Sequence, residues 1–206
     1  MKSILLSIKR KYNLKIESKE KTLELRTRCP KGFVGWVFIY ETLGKQRYVS
    51  EETWENKYPL WFGIEIFKNG KRLITEGRGA ITSRFWFDEY DFIEFAPLYG
   101  YYSDIDDYRY AVNGNELKDL CLSYNDLHNY GKGKNLYAWQ IKKLEVFDEP
   151  MELNEFYKAT FYDMPFKLSQ LKKGEYINKE KWLDMATVTE APQSYQFVYV
   201  KEKENE

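Results

Sequence analysis

Short apolar runs separated by polar turns predict a protein built mainly from β-strands. The run FVGWVFIYET (33–42) is apolar on both faces, which is typical of a strand in the middle of a sheet. The runs that we interpret as strands are SILLSI (3–8), TLELRTR (22–28), FVGWVFIYET, RGAITSRFWFDEYDFIEF (78–95), NLYAWQIKKLEVF (135–147) and QFVYV (196–200).

Helical patterns are few and short. KRKYNLKIESKEK (9–21) predicts a basic helix, and SYNDLHNYGKG (123–133) predicts a second one. In the second, Ser123 is a suitable N-cap, Asp126 occupies the capping-box position and Gly131 marks a stop. DEPMELNEF (148–156) reads as a turn followed by the start of a helix. Strands with short helices between them predict an α+β fold.

Charged residues alternate with apolar ones in TLELRTR. If this segment is a strand, Thr22, Glu24, Arg26 and Arg28 share one face, and leucines 23 and 25 share the other with Thr27. Two interpretations of the charged face remain open. Its ions form a ligand site, or Glu24 and Arg26 only pair with each other while Lys21 is a solvated cation at a helix end.

Length and composition favour a single globular domain. The chain has 206 residues, of which 43% are hydrophobic and 18% aromatic. We expect one domain over residues 1–200, with insertions near 44–76 and 97–115 and a charged tail at 201–206. The apolar run ILLSI near the N-terminus is too short for a secretory signal, and no run approaches a membrane span. These features predict a cytoplasmic protein with no membrane association.

Cysteine and histidine are scarce. Cys29, Cys121 and His128 are the only residues of these two types, too few for a disulfide framework or a zinc site. We therefore expect no metal and no cofactor. A catalytic triad would have to use His128.

Charge is distributed unevenly although the net charge is zero. Residues 1–47 contain twelve Lys or Arg against four acids, so the rest of the chain is acidic by the same margin. A basic N-terminal surface fits an anion such as a nucleic acid backbone. The alternative is that these lysines simply solvate a helix face.

Several segments together resemble the ASCH family of the PUA-like superfamily. These segments are LLSIK, EKTLELR, LYAWQI, DEPMEL and APQSY, and the pattern resembles the longer ASCH type carried by phages and prophages. The family signature of a glycine, a lysine, a glutamate and an arginine corresponds to Lys19, Lys21, Glu24 and Arg26. Lys19 replaces the glycine, which implies either a left-handed residue there or a different helix exit.

The resemblance implies a PUA-like, partly open β-barrel with short flanking helices and a cleft beside the barrel. In that cleft Lys21, Glu24 and Arg26 would bind RNA or a modified nucleotide. The resemblance also brings Lys9 and the late motif residues Gln193 and Ser194 to the cleft. The alternatives are that Lys9 is a surface lysine and that Gln193 and Ser194 form a simple turn before the terminal strand. Trp139 is a candidate base-stacking residue, although Tyr137, Trp139 and Ile141 on one strand face more often form core.

Whether the protein is an enzyme is left open. One branch of the family resembles an amidohydrolase that uses a lysine, a threonine and a glutamate, and other members are linked to RNA cleavage. The candidate catalytic residues are Lys21, Glu24 and Thr22, but Glu24 stands where the threonine nucleophile is expected, and Thr22 could serve only in a rearranged mechanism.

A third hypothesis is that a phage protein binds a host protein. The acidic, aromatic segment 86–107, which includes Tyr101 and Tyr102, suits such a surface. We favour the alternative that its aromatic residues fill the core. The oligomeric state cannot be predicted from the sequence.

Overall fold

The computed structural model describes residues 1–50, 53, 62–66, 71–97, 108–110, 112–162 and 179–201. The chain forms two compact units. The first unit contains Met1–Asn13, Trp36–Arg84 and Glu145–Glu206, and the second contains Leu14–Gly35 and Phe85–Leu144. The expected single domain with insertions stays a prediction.

Strands dominate the described residues. In chain order they are β1 (Lys2–Lys9), β2 (Leu23–Arg26), β3 (Gly35–Thr42), β4 (Gln46–Ser50), β5 (Phe62–Ile66), β6 (Lys71–Thr75), β7 (Ala80–Phe87), β8 (Tyr90–Ile93), β9 (Phe95–Pro97), β10 (Tyr108–Tyr110), β11 (Leu136–Gln140), β12 (Lys142–Met151), β13 (Phe156–Lys158) and β14 (Tyr195–Val200). The helices are α1 (Arg10–Glu17), α2 (Gly114–Leu120), α3 (Tyr124–Gly131), α4 (Ala159–Tyr162) and α5 (Lys179–Ala186), with a 3₁₀ turn at Leu153–Glu155.

A six-stranded sheet organises the first unit. Its order is β12-β7-β3-β1-β14-β13, with β1 parallel to β3 and antiparallel to β14. The interior position of β3 confirms the prediction from its apolar sequence. One cluster of buried side chains in this unit contains Leu5, Phe38, Tyr40, Ile81, Phe156, Val188 and Val198.

The first unit also buries a carboxylate. Glu41 has no exposed surface, and it accepts hydrogen bonds from Arg10 Nη1 at 3.0 Å, Asn13 Nδ2 at 2.9 Å and the backbone N–H of Arg78 at 2.9 Å. Three donors on one buried carboxylate satisfy it, so this cluster serves the fold. The predicted insertion near 44–76 contains, in its described part, the sheet β4-β6-β5.

A three-stranded antiparallel sheet, β2-β11-β8, organises the second unit. One face of this sheet packs against apolar side chains of α2 and α3. The buried cluster contains Leu23, Leu25, Ile93, Leu120, Leu127, Leu136 and Ala138. β9 and β10 form a separate two-stranded ladder.

The predicted α+β class is confirmed. The sheets are open: within the described residues the six-stranded sheet ends at β12 on one side and at β13 on the other, and these two strands do not pair. The expected barrel therefore takes the form of open sheets that do not close. None of the helices in the described ranges is long and apolar enough to cross a membrane.

Two predicted strands are interrupted. The strand expected over 78–95 divides into β7, β8 and β9, and the one expected over 135–147 divides at Ile141 into β11 and β12. After the second break Lys143 has a left-handed backbone with φ of 46°. The turn predicted at DEPM is wrong, because β12 continues to Met151. β12 is an edge strand, which tolerates Pro150.

Helix α2 was not predicted, although its start carries a recognisable signal. Asn113 Oδ1 accepts from the backbone N–H groups of Asn115 and Glu116, and the Glu116 carboxylate accepts in return from the N–H of Asn113. This capping box could have been found in the sequence. The capping box predicted at Ser123 and Asp126 is confirmed at the start of α3.

Candidate functional site

The charged face of β2 is buried. Leu23 and Leu25 belong to the apolar cluster of the second unit, and Glu24 and Arg26 alternate with them, as the sequence pattern predicts. β11 runs alongside, with Trp139 opposite Glu24 and Tyr137 opposite Arg26. All four residues of β2 are buried, so the ions of this face are not a solvated row. Thr27 and Arg28 lie beyond the strand and are exposed.

Lys21 holds the end of helix α2. Its side chain is 3% exposed, and its ammonium donates to the carbonyl oxygen of Leu120 at 3.0 Å and to that of Leu23 at 2.5 Å. The last carbonyls of a helix have no partner within it and form the negative end of its dipole, so a cation is favourable there. The interpretation of Lys21 as a solvated cation is therefore wrong.

Glu24 lies between two cations. One carboxylate oxygen is 3.4 Å from Lys21 Nζ, and the other is 2.9 Å from Arg26 Nη2. The side chains of Glu24 and Arg26 are 8% and 10% exposed. The ammonium of Lys21 therefore donates to two backbone carbonyls and forms an ion pair with this carboxylate. Of the three side chains, Arg26 has the largest exposed fraction.

Tyr130, which no sequence pattern selected, is electrostatically coupled to this cluster. Burial raises the pKa of its phenol, the positive charge of Arg26 lowers it, and the negative charge of Glu24 raises it. The ring is 44% exposed, so the phenol has a desolvated environment while the side chain still reaches solvent. No pattern in the sequence indicates that the tyrosine at the end of helix α3 lies near Glu24 and Arg26.

A pocket of about 370 Å³ adjoins Lys21 in the second unit. Apolar side chains and three lysines line it: Ile16, Lys19, Lys21, Thr22, Ile141, Lys143 and Leu144. Two backbone hydrogen bonds fix Thr22 in this wall. Its N–H donates to the carbonyl of Asp119, and its carbonyl accepts from the backbone N–H of Ile141, each at 3.0 Å. A pocket lined by apolar side chains and lysines fits an anion that has an apolar part.

Two of these lysines have left-handed backbone conformations. Lys19 has φ of 62°, so the left-handed residue expected in place of the signature glycine is confirmed. Its N–H donates to the carbonyl of Ile16 at 2.9 Å, which closes the end of α1. Lys143 has φ of 46° inside strand β12, and its ammonium lies 5.4 Å from the centroid of the Trp86 ring. Such conformations cost a non-glycine residue roughly 1–2 kcal/mol.

The remaining predicted site residues lie elsewhere or are covered. Trp139 has no exposed surface and packs against Phe87, with ring centroids 5.0 Å apart. Its packing agrees with the core interpretation. Lys9, at the end of β1, belongs to the first unit and is exposed. Gln193 and Ser194 also belong to the first unit, just before β14.

The carbonyl of Ser194 accepts from the N–H of Ser7 at 3.0 Å, and the carbonyl of Pro192 accepts from Ser7 Oγ at 2.6 Å. The late motif thus joins the start of β14 to β1. Within the described residues, the structure brings Lys21, Glu24, Arg26 and Trp139 together in the second unit and assigns Lys9, Gln193 and Ser194 to the first.

Neither cysteine is in a disulfide. Burial raises the pKa of Cys29 to about 11, although the charge of Lys31 lowers it. In the described ranges, no group of three or more His, Cys, Asp or Glu side chains could hold a metal ion. His128 contacts Phe95, with ring centroids 6.4 Å apart.

Part of the acidic segment 86–107 lies in the described residues. Asp88 and Glu89 form ion pairs with Lys142 at 2.8 Å and 3.0 Å. These hydrogen bonds raise the pKa of Lys142. Tyr101 and Tyr102 lie outside the described residues.

Comparison with known proteins adds a structural likeness. No protein-family model matches the chain, and no curated protein matches it. The crystal structure of ASCH from Zymomonas mobilis is similar, with a TM-score of 0.42, 13% identity and coverage of 90% of this chain and 95% of the other. A tyrosine-to-phenylalanine variant of the same protein matches with a TM-score of 0.41, 11% identity and coverage of 89% and 95%.

Proposed function

We propose that the protein binds RNA or a modified nucleotide at the cluster of Lys21, Glu24 and Arg26. The observation that carries this proposal is the fixed position of the Glu24 carboxylate between the two cations, at 3.4 Å and 2.9 Å. Lys21 orients the cluster and caps α2, while Arg26 has the most exposed side chain of the three. Groups held this firmly need little reordering when a ligand arrives.

The chemistry of the cluster suits a nucleotide. An arginine donates in a planar fork to phosphate or to a base edge, and a carboxylate accepts from a base amino group or a ribose hydroxyl. Lys19 and Lys143 line the adjoining pocket beside apolar side chains. The basic character of residues 1–47 favours the approach of a polyanion.

A titration of end-labelled single-stranded RNA tests the proposal. Wild type should shift the intact RNA on a native gel in a salt-sensitive manner, and Arg26→Gln should weaken the binding by at least about tenfold. Arg84→Gln is the matched control, because Arg84 forms an exposed ion pair with Glu145 at 2.7 Å in the first unit. Equal affinities of the Arg26 and Arg84 variants would refute the proposal.

A hydrolytic function is the second candidate, favoured by the presence of Thr22 and Lys21 in the wall of one pocket. The same mixtures run on a denaturing gel test it. Shortened RNA with wild type and intact RNA with Thr22→Val or Glu24→Gln would make the protein a nuclease. Cleavage that persists in both variants would exclude these residues as catalytic groups. Release of an acyl group from modified cytidine by wild type alone would indicate the amidohydrolase branch.

The phage origin and the cytoplasmic location of the protein also stay predictions. The ion pairs of Lys142 with Asp88 and Glu89 bear on the hypothesis of a host-protein partner. Because the positive charge of Lys142 offsets part of theirs, these two acids contribute less charge to a negatively charged docking surface.

A further inference from the structure

We infer that three aromatic side chains in the solvent-exposed part of one face of the sheet β2-β11-β8 form a stacking platform for the bases of single-stranded RNA. The inference rests on the proposed function, which concerns the ions of β2, and it adds a base-binding surface on the two neighbouring strands. We call Tyr90, Phe92 and Tyr137 the aromatic platform.

Strand register aligns the platform with the ionic cluster. In one row across the sheet, Arg26 lies opposite Tyr137, and Tyr137 lies opposite Phe92. In the next row, Glu24 lies opposite Trp139, and Trp139 lies opposite Tyr90. Residues opposite each other in antiparallel strands share a face, with Cβ atoms about 5 Å apart. Both rows therefore lie on the face that does not contact the apolar cluster.

The platform rings contact one another and reach solvent. Tyr137 lies 5.5 Å from Tyr90 in an edge-on geometry and 5.5 Å from Phe92 in a tilted one. Tyr90 is 38% exposed and Phe92 is 52% exposed. Ring contacts of this kind restrict the rotation of each side chain, so the platform keeps its shape before a ligand binds.

Buried aromatic residues lie beside Tyr90 on the same sheet face. Trp139 has no exposed surface, and Phe87 packs against it and against Phe33. The part of this face that offers rings to a base is therefore the part formed by Tyr90, Phe92 and Tyr137.

The guanidinium of Arg26, which is paired with Glu24 on the same face, is the group that favours RNA over a neutral partner. Arg26 stands in the same row as Tyr137 and Phe92, so a base on these rings brings its own phosphate or edge within reach of the guanidinium. Asp91 lies opposite Ala138, which belongs to the apolar cluster, so its register puts it on the other face. Stacking on an aromatic ring contributes about 1–3 kcal/mol per base and is tolerant of sequence.

Two labelled probes separate stacking from phosphate binding: a short oligouridylate and an abasic ribose-phosphate chain of the same length, both titrated by fluorescence anisotropy. Wild type should bind the oligouridylate about tenfold tighter than the abasic chain, as expected for one or two stacked bases. Phe92→Leu keeps an apolar side chain but removes the ring. It should lose that preference and leave the affinity for the abasic chain unchanged.

Two further variants complete the design. Phe92→Trp should retain or strengthen the preference for bases, since tryptophan offers a larger ring. Tyr48→Leu is the matched control, because Tyr48 is 61% exposed on β4 of the first unit. It should behave as wild type with both probes.

The failures are distinguishable. If Phe92→Leu binds oligouridylate as wild type does while Arg26→Gln is weakened, the platform is overturned and the proposed function stands. If wild type binds neither probe, the RNA-binding part of the proposed function fails and the platform with it. The platform is also overturned if Phe92→Leu loses affinity for both probes equally. It is overturned as well if sedimentation shows that the wild type is a dimer and that Phe92→Leu dissociates this dimer.

Discussion

The ammonium of Lys21 and the carboxylate of Glu24, three residues apart in the chain, lie 3.4 Å from each other with both side chains less than a tenth exposed. The same ammonium caps helix α2 through the carbonyl of Leu120. One lysine thus stabilises the fold of the second unit and fixes the acid of the candidate site.

Lys21 therefore stabilises the fold and also belongs to the candidate site. Lys21→Met leaves the carbonyls of Leu23 and Leu120 without their donor and Glu24 with one cation fewer. We expect the free energy of unfolding in urea to fall by about 3 kcal/mol, as for one partner removed from a buried ion pair. Arg84→Met, at the exposed pair with Glu145, should cost less than about 1 kcal/mol.

A double-mutant cycle sharpens this comparison. Lys21→Met combined with Glu24→Gln should cost less than the two single changes added together, because the pair is broken once. Strictly additive costs, or a cost below about 1 kcal/mol for Lys21→Met, would show that the ion pair carries little energy.

Lys19 provides a test of backbone strain. Its φ of 62° suits glycine, so Lys19→Gly should raise the free energy of unfolding by up to about 1 kcal/mol. Lys15→Gly is the matched control. Lys15 lies inside helix α1, where the same substitution should lower stability by about 0.5–1 kcal/mol. Chemical denaturation of the two variants should give opposite signs, and a decrease at both positions would contradict the left-handed assignment.

The lysines of the pocket can be replaced with little disturbance of the backbone. Lys19→Gly and Lys143→Gly suit the left-handed conformation at each position while removing an ammonium from the pocket wall. The double variant should bind single-stranded RNA about tenfold more weakly at low salt, with a shallower salt dependence.

Lys132→Gly is the control for that experiment. Lys132 also has a left-handed backbone, with φ of 48°, but it caps α3 and does not line the pocket. A glycine there should leave RNA affinity within about twofold of wild type, since the affinity for RNA depends on the cations that neutralise its phosphates in the site. Equal weakening by Lys132→Gly would point to general charge rather than to the pocket.

Cys29 gives a prediction on pH. Its pKa of about 11 exceeds the ordinary value of 9.0 because burial disfavours the thiolate. A raised pKa means that the folded state holds the proton longer than the unfolded state does. This contribution to stability is therefore complete below about pH 9 and is lost as the pH rises towards 11.

The pH dependence of the rate at which iodoacetamide alkylates Cys29, followed by mass spectrometry in a Cys121→Ser variant, measures this titration for Cys29 alone. Lys31→Gln should raise the pKa of Cys29 further, because the charge of Lys31 lowers it. A midpoint near the ordinary value would mean that the thiol is solvated.

Local patterns predicted much of the fold. The alternation in TLELRTR predicted which side of β2 faces the core, and the Ser123 and Asp126 pair predicted the start of α3. Periodicity could not predict the break at Ile141, since Ile141 is itself apolar and β-branched and no glycine or proline marks the position. Division of the chain into two units depends on contacts between distant segments, which periodicity does not encode.

The site was predicted only in part. Lys21, Glu24 and Arg26 carry a spacing signal on one strand, but the burial of Lys21 depends on helix α2, which was not predicted from the sequence. Tyr90 and Phe92 lie on the same sheet face as Glu24 and Arg26 because β8 pairs with β11. Strand pairing depends on tertiary structure, so the sequence pattern did not predict their position.

Photo-cross-linking tests the central claim most directly. A single-stranded RNA that contains thiouridine is irradiated with the protein, and the cross-linked peptides are identified by mass spectrometry. We expect cross-links in the peptides that contain Tyr90, Phe92, Tyr130 or Tyr137, together with their suppression in Arg26→Gln. Cross-links confined to residues 36–84 of the first unit, or unchanged in Arg26→Gln, would contradict a binding site at Lys21, Glu24 and Arg26.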